Sequence, residues 1–241
     1  EIFQKEFKNI VSSNNENDVS GGFIIKIDHM NIDGNSVDSY EYWDSNYSSI
    51  GGDDVYFQYY YPKPDEITDG QKNYIQNYIN NFEDCLNSSI FTDLNFGYKS
   101  IIDINSAIDF FIIQEFSKNI DAYRASTFFY KDETEISDKL YFGPVWDFNF
   151  SYGATLFCEG DQYEGWQNNS SCGQANPIWF KRFREDPYFA GKLNCRWEEL
   201  RANILSVESL GLLIDSLTNS ISESVLNNFE ATDKLIFLGN V

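Results

Sequence analysis

The sequence predicts an α+β fold in which a mostly helical lower lobe surrounds one β-hairpin, beside a partial β upper portion. Three observations predict it. Residues 126–130 and 140–146 are β-rich runs joined by the polar stretch 131–139, which is typical of an antiparallel hairpin. Apolar residues recur at helical spacing before and after this hairpin. Two further β-rich runs, residues 23–28 and 55–61, precede all of the helices.

Two helices are predicted before the hairpin. Thr68 and Gln71 have the spacing of a capping box, and the apolar face that follows runs at helical spacing as far as Leu86. The second helix covers residues 105–118, with Asp103 or Asn105 as its cap. It is apolar on nearly every side, so we expect it to lie at the centre of the fold.

A long loop, residues 151–176, is predicted after the hairpin, and loops of this length usually carry function. A short helix over residues 177–184 follows it. Asp186 is the expected cap of the next helix, with Pro187 at its first position, and Ser206 is the expected cap of the last.

Length and charge limit the possible functions. A chain of 241 residues suits one large domain or two small lobes, and 42% hydrophobic residues are enough for a core. The formal net charge of −21 disfavours nucleic acid and anionic membranes as partners and favours basic partners or cations. No apolar run reaches about 18 residues, so we expect no membrane span. Both ends of the chain have the character of cut ends, which predicts a truncated domain.

The rare reactive residues exclude other chemistry. His29 is the single histidine, and it is expected in a surface loop, which argues against histidine-rich zinc sites and Ser-His-Asp triads. Four cysteines occur without a CxxC pair. Cys158 and Cys172 flank a polar loop and are predicted to form a disulfide. Cys85 and Cys195 lie on predicted helices, either as a pair or, as we expect, as buried thiols.

The hairpin predicts an acidic site at its open end. Asp121 lies just before the first strand and Asp147 just after the second, so the hairpin brings both carboxylates together. Their repulsion is relieved by a proton or a cation, and oxygen ligands favour magnesium, manganese or calcium. A carboxylate after a buried helix, a polar residue five positions on (Ser126), and a second carboxylate beyond a hairpin also form the layout of a kinase catalytic centre. An ordinary hairpin with solvated aspartates is the alternative.

Four stretches carry a family resemblance: GGFIIKIDH near the start, YPKPDEITDGQKNYIQNYINNFE, the NIDAYRASTFFYKD…GPVWDFN core, and NPIWFKRFREDPYF followed by RWEELR. Together they span most of residues 21–201. On these motifs the chain resembles the CotH family, spore-coat-type secreted proteins with an atypical protein-kinase-like fold. The family often has Asn where Ser126 stands and Asp where Asn149 stands.

The resemblance implies a CotH-like kinase domain over residues 1–241, with a partial upper lobe and hinge in 1–64 and the helical lobe in 65–241. It implies metal-dependent transfer of a phosphoryl group from ATP, with Mg²⁺ or Mn²⁺, to a secreted or surface protein. The nucleotide-binding lysine is expected upstream, because the sequence before residue 23 contains no glycine-rich phosphate loop. The implied setting is extracellular, including association with a coat or a cellulosome.

The expected site residues have distinct roles. Asp121 serves the acceptor hydroxyl, while Asn119 and Glu115 support it, Glu115 through a neighbouring cation such as Arg124. The expected metal ligands are Asp147, Ser126 and Asn149.

Two other functions fit the sequence. One is a non-catalytic extracellular module that binds protein or polysaccharide, which the 17% aromatic content favours. The other is a glycoside hydrolase in which Asp121 and Asp147 form the carboxylate pair.

Overall fold

The structure, a computed structural model, describes residues 19, 21–32, 35–169 and 176–231. The strands in this part of the chain are β1 (Phe23–Ile27), β2 (Asn31–Ile32), β3 (Asn35–Ser36), β4 (Tyr42–Asp44), β5 (Tyr56–Tyr61), β6 (Thr127–Lys131) and β7 (Leu140–Phe142). The α-helices are α1 (Asp69–Asn87), α2 (Ile104–Ser117), α3 (Trp179–Glu185), α4 (Pro187–Ala202) and α5 (Val207–Ala231). Two compact units are distinguished, Glu1–Leu193 and Asn194–Val241.

The predicted hairpin is confirmed as β6 and β7, which pair antiparallel from Phe129↔Phe142 to Lys131↔Leu140. Its strands are shorter than the sequence predicts. Ser126 has a φ of 49° and therefore stands before β6 rather than within it. β7 ends at Phe142 because Gly143 has a φ of 124° and Pro144 has no backbone N–H to donate to a neighbouring strand.

The hairpin belongs to a five-stranded antiparallel sheet with the order β4-β5-β1-β6-β7. β1 pairs with β5 on one side and with β6 on the other. The runs assigned to the upper β portion therefore share one sheet with the hairpin. The chain between β1 and β5 supplies β4 and the small β2–β3 pair. The mixed α+β class is confirmed, and the division at residue 64 stays a prediction.

The helix caps follow the sequence. The Thr68 hydroxyl accepts from Gln71 N at 3.2 Å and the Gln71 side chain accepts from Thr68 N at 3.0 Å, which completes the capping box of α1. Asp103 Oδ1 accepts from Ser106 N at 2.7 Å and caps α2. Asp186 Oδ1 accepts from Tyr188 N at 3.0 Å at the start of α4. Each cap satisfies an N–H group that a helix start leaves unpaired.

Trp179 of α3 is the centre of an aromatic core. Its ring is 1% exposed and lies 5.5 Å from Phe57 of β5, 4.9 Å from Phe129 of β6 and 4.9 Å from Phe82 of α1, measured between ring centroids. α2 is buried along most of its length, as predicted, and its Phe110 ring stacks 5.9 Å from Phe180. Aromatic contacts therefore fix the sheet against the helices.

A carboxyl group is buried inside this core. Glu83 of α1 is 1% exposed, and its two oxygens accept from Trp179 Nε1 at 2.8 Å and from Ser45 Oγ at 2.8 Å. Burial raises the pKa of Glu83 to about 7, although both hydrogen bonds act to lower it. The carboxyl group thus connects α1 to α3 and to the segment after β4.

In the unit Asn194–Val241, Ser206 Oγ accepts from Ser209 N at 3.1 Å, which confirms the predicted cap of α5. Several large apolar side chains of α5 are exposed, among them Leu212, Leu213, Ile214, Leu217, Ile221 and Leu226. No single helix among the described residues has the length and apolar character of a membrane span. Only the bent pair of Pro187–Ala202 with Val207–Asn227 meets that test.

The cysteine expectations have different outcomes. Cys85 and Cys195 are both free thiols. Cys195 is exposed because its position on α4 faces solvent, so the expectation of a buried thiol is wrong for this residue. Cys85 is half-buried. Cys172 lies outside the described residues, so the disulfide with Cys158 stays a prediction.

Glu83 predicts a pH-dependent stability. Between its unfolded value of 4.5 and about 7, folded Glu83 keeps a proton that the unfolded chain releases, so the free energy of unfolding falls as pH rises through this window. Glu83→Gln stays neutral and should remove up to about 3 kcal/mol of that fall. Urea unfolding of both proteins at pH 5 and pH 8 measures the difference.

Glu66→Gln, at an exposed position, is the matched control and should keep the pH dependence of the wild type. Equal pH slopes for wild type and Glu83→Gln would show that Glu83 does not carry the effect.

Candidate functional site

Asp121 lies in a tight loop that α2 and its last residues hold in place. Asn119 is 1% exposed, and its Nδ2 donates to Gln114 Oε1 at 2.9 Å. Its Oδ1 accepts from the backbone N–H of Asp121 at 3.2 Å. Ala125 N donates to Asp121 O at 3.0 Å and closes the loop before β6. Asn119 therefore positions the Asp121 backbone from the end of a buried helix.

Ser126 and Asp147 meet at the open end of the hairpin. Ser126 Oγ donates to Asp147 Oδ2 at 3.3 Å, although 21 residues separate them in the chain. Both residues adopt left-handed backbone, with φ values of 49° and 62°, which turns each away from its strand. The Asp147 side chain is exposed and Ser126 is half-buried. The contact at the open end of the hairpin is therefore Ser126–Asp147, and the predicted site formed by Asp121 and Asp147 stays a prediction.

Asp121 is electrostatically coupled to this pair. Burial raises the pKa of Asp121, the Arg124 cation and the His29 side chain act to lower it, and the negative charges of Asp147 and Asp28 act to raise it further. The net shift is upward from the ordinary value of 3.8. The half-buried Asp121 carboxylate is thus electrostatically coupled to Asp147, and its proton affinity is raised.

The other expected site residues are placed differently. Asn149 is exposed, two residues beyond Asp147. Glu115 Oε1 accepts from Tyr123 OH at 2.8 Å and from Asn168 N at 2.9 Å, and its expected action through Arg124 stays a prediction. Its Oε2 accepts from Gln167 N at 2.6 Å.

The cation beside Glu115 is Arg184 of α3. Burial raises the pKa of Glu115, and three hydrogen bonds and the charge of Arg184 act to lower it. Arg184 also donates to the side-chain oxygens of Asn168 and Asn169 at 3.1 and 2.7 Å. Lys118 Nζ donates to the backbone oxygens of Glu164 and Gly165 at 2.9 and 3.0 Å. Glu115 therefore joins the Asp121 loop to the segment that follows the hairpin.

Sequence reasoning missed Asp28, which follows β1. Asp28 Oδ1 accepts from Ser126 N at 3.4 Å, and Asp28 Oδ2 accepts from Lys26 Nζ at 2.8 Å. His29 is exposed as expected. The signal for Asp28 is the acidic end of the run FIIKID, but the sequence does not show that this strand pairs with the hairpin.

The side chains at the open end of the hairpin can hold a hard divalent cation only if substrate phosphates and water complete its coordination. The described residues contain no group of three or more His, Cys, Asp or Glu side chains placed to hold a metal. Magnesium is commonly held by one or two carboxylates together with substrate phosphates and water. Exposed Asp147, with the Ser126 hydroxyl beside it and the negative field of Asp121 and Asp28, has the chemistry of such an incomplete site.

The family described as CotH kinase protein matches residues 9–237 of this chain, which is nearly all of it. The chain belongs to the CotH kinase family. This confirms the resemblance drawn from the motifs. Searches of curated proteins and of solved structures found no match.

Membership of the CotH family supports a kinase-like function, and a kinase as a class uses a nucleotide and a divalent metal. The hairpin that carries Asp121, Ser126 and Asp147 lies inside the matched region, as do Asp28 and Glu115. The α+β architecture agrees with a kinase-like fold, and the family is the source of that fold assignment.

Glu115 predicts how the segment after the hairpin is held. Glu115→Gln replaces a charged acceptor of three hydrogen bonds by a neutral amide, so the anchors at Gln167 and Asn168 should weaken. We expect amide hydrogen exchange of the peptide around residues 160–169 to quicken by about tenfold, which corresponds to about 1.4 kcal/mol of local stability. Hydrogen-exchange mass spectrometry measures it.

Glu135→Gln, in the exposed hairpin turn, is the control and should leave this peptide unchanged. Unchanged exchange in Glu115→Gln would mean that other contacts, such as those of Lys118, hold the segment.

Proposed function

We propose that this protein is an atypical protein kinase that transfers the γ-phosphoryl group of ATP to a hydroxyl of a secreted or surface protein. The observation that carries the proposal is the meeting of Ser126 with Asp147, beside Asp121, in a chain of the CotH kinase family. A phosphoryl-transfer centre needs side chains that bind the metal and one that accepts a proton. Ser126 and Asp147 have the chemistry of metal ligands, and Asp121 has that of a proton acceptor.

Asp121 is the proposed catalytic base. Its raised pKa follows first from burial, and this makes it a better proton acceptor than a solvated aspartate. The acceptor hydroxyl gives its proton to Asp121 while its oxygen bonds to the γ-phosphorus. The bond from that phosphorus to the β–γ bridging oxygen breaks, and ADP leaves. Asn119 and Glu115 position the loop that carries Asp121, through the Asp121 amide and the Tyr123 hydroxyl respectively.

Asp147 and Ser126 are the proposed metal ligands, and Asn149 is a third. A Mg²⁺ or Mn²⁺ ion held by these residues would neutralise the phosphate charge. Most of the catalytic effect in such a centre comes from positioning and from electrostatic stabilisation. The nucleotide phosphates would supply the ligands that the described side chains do not, which agrees with the small donor set.

The acceptor is proposed to be a basic protein outside the cell. The chain has a formal charge of −21, and Glu159, Asp161 and Glu164 lie exposed in the segment after Asp147. That field attracts a basic acceptor segment and disfavours nucleic acid. Membership of the CotH family favours a secreted, surface or coat-associated location, and a cellulosome is one such surface.

A second function is favoured by one observation. Exposed apolar side chains often mark a site that binds another molecule. Several large aromatic side chains are exposed in the segment after the hairpin: Trp146, Phe150, Tyr152, Phe157, Tyr163 and Trp166. The alternative is therefore a non-catalytic module that binds protein or polysaccharide through this surface.

The metal role gives the main test. Asp147→Asn removes the exposed carboxylate that Ser126 contacts and should abolish binding of magnesium–ATP. Asp121→Asn should bind nearly as the wild type does but lose transfer, by about a hundredfold or on the order of 3 kcal/mol. Calorimetric titration of the full-length protein measures binding, and transfer of labelled phosphate measures activity.

Asp65→Asn, an exposed site away from the hairpin, controls for the loss of one charge and should behave as the wild type. Wild-type affinity in Asp147→Asn would remove the kinase assignment. A wild type that binds no nucleotide would leave the binding module as the function.

The charge predicts the partner's salt response. Affinity for a basic acceptor peptide should fall at least tenfold between about 0.05 and 0.5 M salt, because exposed charges are screened more strongly as the Debye length shortens. Fluorescence anisotropy with a labelled Lys/Ser peptide measures it, and a Gln/Ser peptide of equal length is the control. An affinity that does not change with salt would argue against an electrostatic acceptor site.

A further inference from the structure

Asp28 is fixed opposite Ser126 by strand pairing. β1 and β6 are antiparallel in the register Lys26↔Phe128 and Ile27↔Thr127, so the next position of each chain brings Asp28 across from Ser126. The backbone N–H of Ser126 donates to Asp28 Oδ1 at 3.4 Å. A carboxylate 98 residues away in the chain therefore reaches the residue that contacts Asp147.

The Asp28 carboxylate is itself held in place. Lys26 Nζ lies 2.8 Å from its Oδ2, and the two side chains are 16% and 19% exposed. The backbone N–H of His29 donates to Oδ1 at 2.9 Å. Asp28 is thus a charged acceptor with a defined orientation.

Ser126 needs such support. Its φ of 49° is uncommon for a residue with a β-carbon, and the surrounding structure must hold it there. Asp28 holds its amide on one side, and its hydroxyl donates to Asp147 Oδ2 on the other. The direction of the Ser126 hydroxyl, and the carboxylate rotamer of Asp147 with it, therefore depends on the amide being fixed.

We propose that Asp28, held by Lys26, is a positioning residue that sets Ser126 and through it Asp147 for the metal–nucleotide complex. The proposal rests on the proposed kinase function. Asp28 is not assigned as a metal ligand, because Oδ2 is engaged by Lys26 and Oδ1 by the two backbone N–H groups. A metal ion could bind Asp28 only by displacing these hydrogen-bond donors.

The test is a double-mutant cycle on the full-length protein. Manganese–ATP is titrated by calorimetry into wild type, Asp28→Ala, Ser126→Ala and the double variant. Removing a group that orients a ligand typically weakens binding about 10- to 100-fold, and we expect at least a tenfold loss in each single variant. If Asp28 acts through Ser126, the double variant is no weaker than the weaker single variant.

Losses that multiply in the double variant would overturn the proposal, because Asp28 would then act on the ligand independently of Ser126. Wild-type affinity in Asp28→Ala would also overturn it. Lys26→Arg keeps the cation and should bind as the wild type does, whereas Lys26→Met should weaken binding. Asp44→Asn, at the exposed end of β4, is the matched control and should bind as the wild type does.

A second readout needs no ligand. Exchange of the Ser126 amide, measured by NMR, should quicken at least tenfold in Asp28→Ala and stay unchanged in Asp44→Asn. A wild type that binds no manganese–ATP would overturn the proposed function, and the amide exchange would then still decide whether Asp28 holds Ser126. Unchanged exchange in Asp28→Ala would overturn the positioning role whatever the protein binds.

Discussion

The pairing of β1 with β6 is the constraint on which the site depends. It places β1 at the centre of the five-stranded sheet, with β5 on one side and the hairpin on the other. A shift of one residue would turn every side chain of β1 to the opposite face. Such a shift would exchange Phe23 and Ile25 with Ile24 between the two buried faces of the strand and would separate Asp28 from Ser126. The same register therefore serves both packing and the site.

The register is fixed by what the buried face of the sheet packs against. Phe57 and Phe129 contact Trp179, and Trp179 donates its indole N–H to Glu83 on α1. An indole N–H buried without an acceptor would cost about 1–3 kcal/mol, so the buried carboxyl group is what allows a tryptophan at this position. Glu83 in turn is tolerated because burial favours its neutral form. The packing of Trp179, its hydrogen bond to Glu83 and the raised pKa of Glu83 are therefore linked.

The site lies where regular structure ends. Lys118, Ser126 and Asp147 all have positive φ, at the end of α2, before β6 and after β7. These turns direct polar side chains out of a core that is otherwise aromatic. Glu115 extends the arrangement, since it links the Asp121 loop through Tyr123 to the backbone of Gln167 and Asn168. The Asp121 loop and the segment after the hairpin are therefore both anchored to α2 through Glu115.

The sequence by itself determined the elements whose signals are local. Caps at Thr68, Asp103 and Asp186, the hairpin around residues 131–139, and the meeting of its open ends all follow from neighbouring residues. The tertiary structure decided which strand lies beside the hairpin and which groups surround Glu115. Asp28 is 98 positions from Ser126, and Glu115 is 52 from Gln167, so no periodicity or short motif could place them together. Long-range pairing depends on the packing of the whole core, and this is the physical reason that the hairpin was predictable from local residues and the contacts of Asp28 and Glu115 were not.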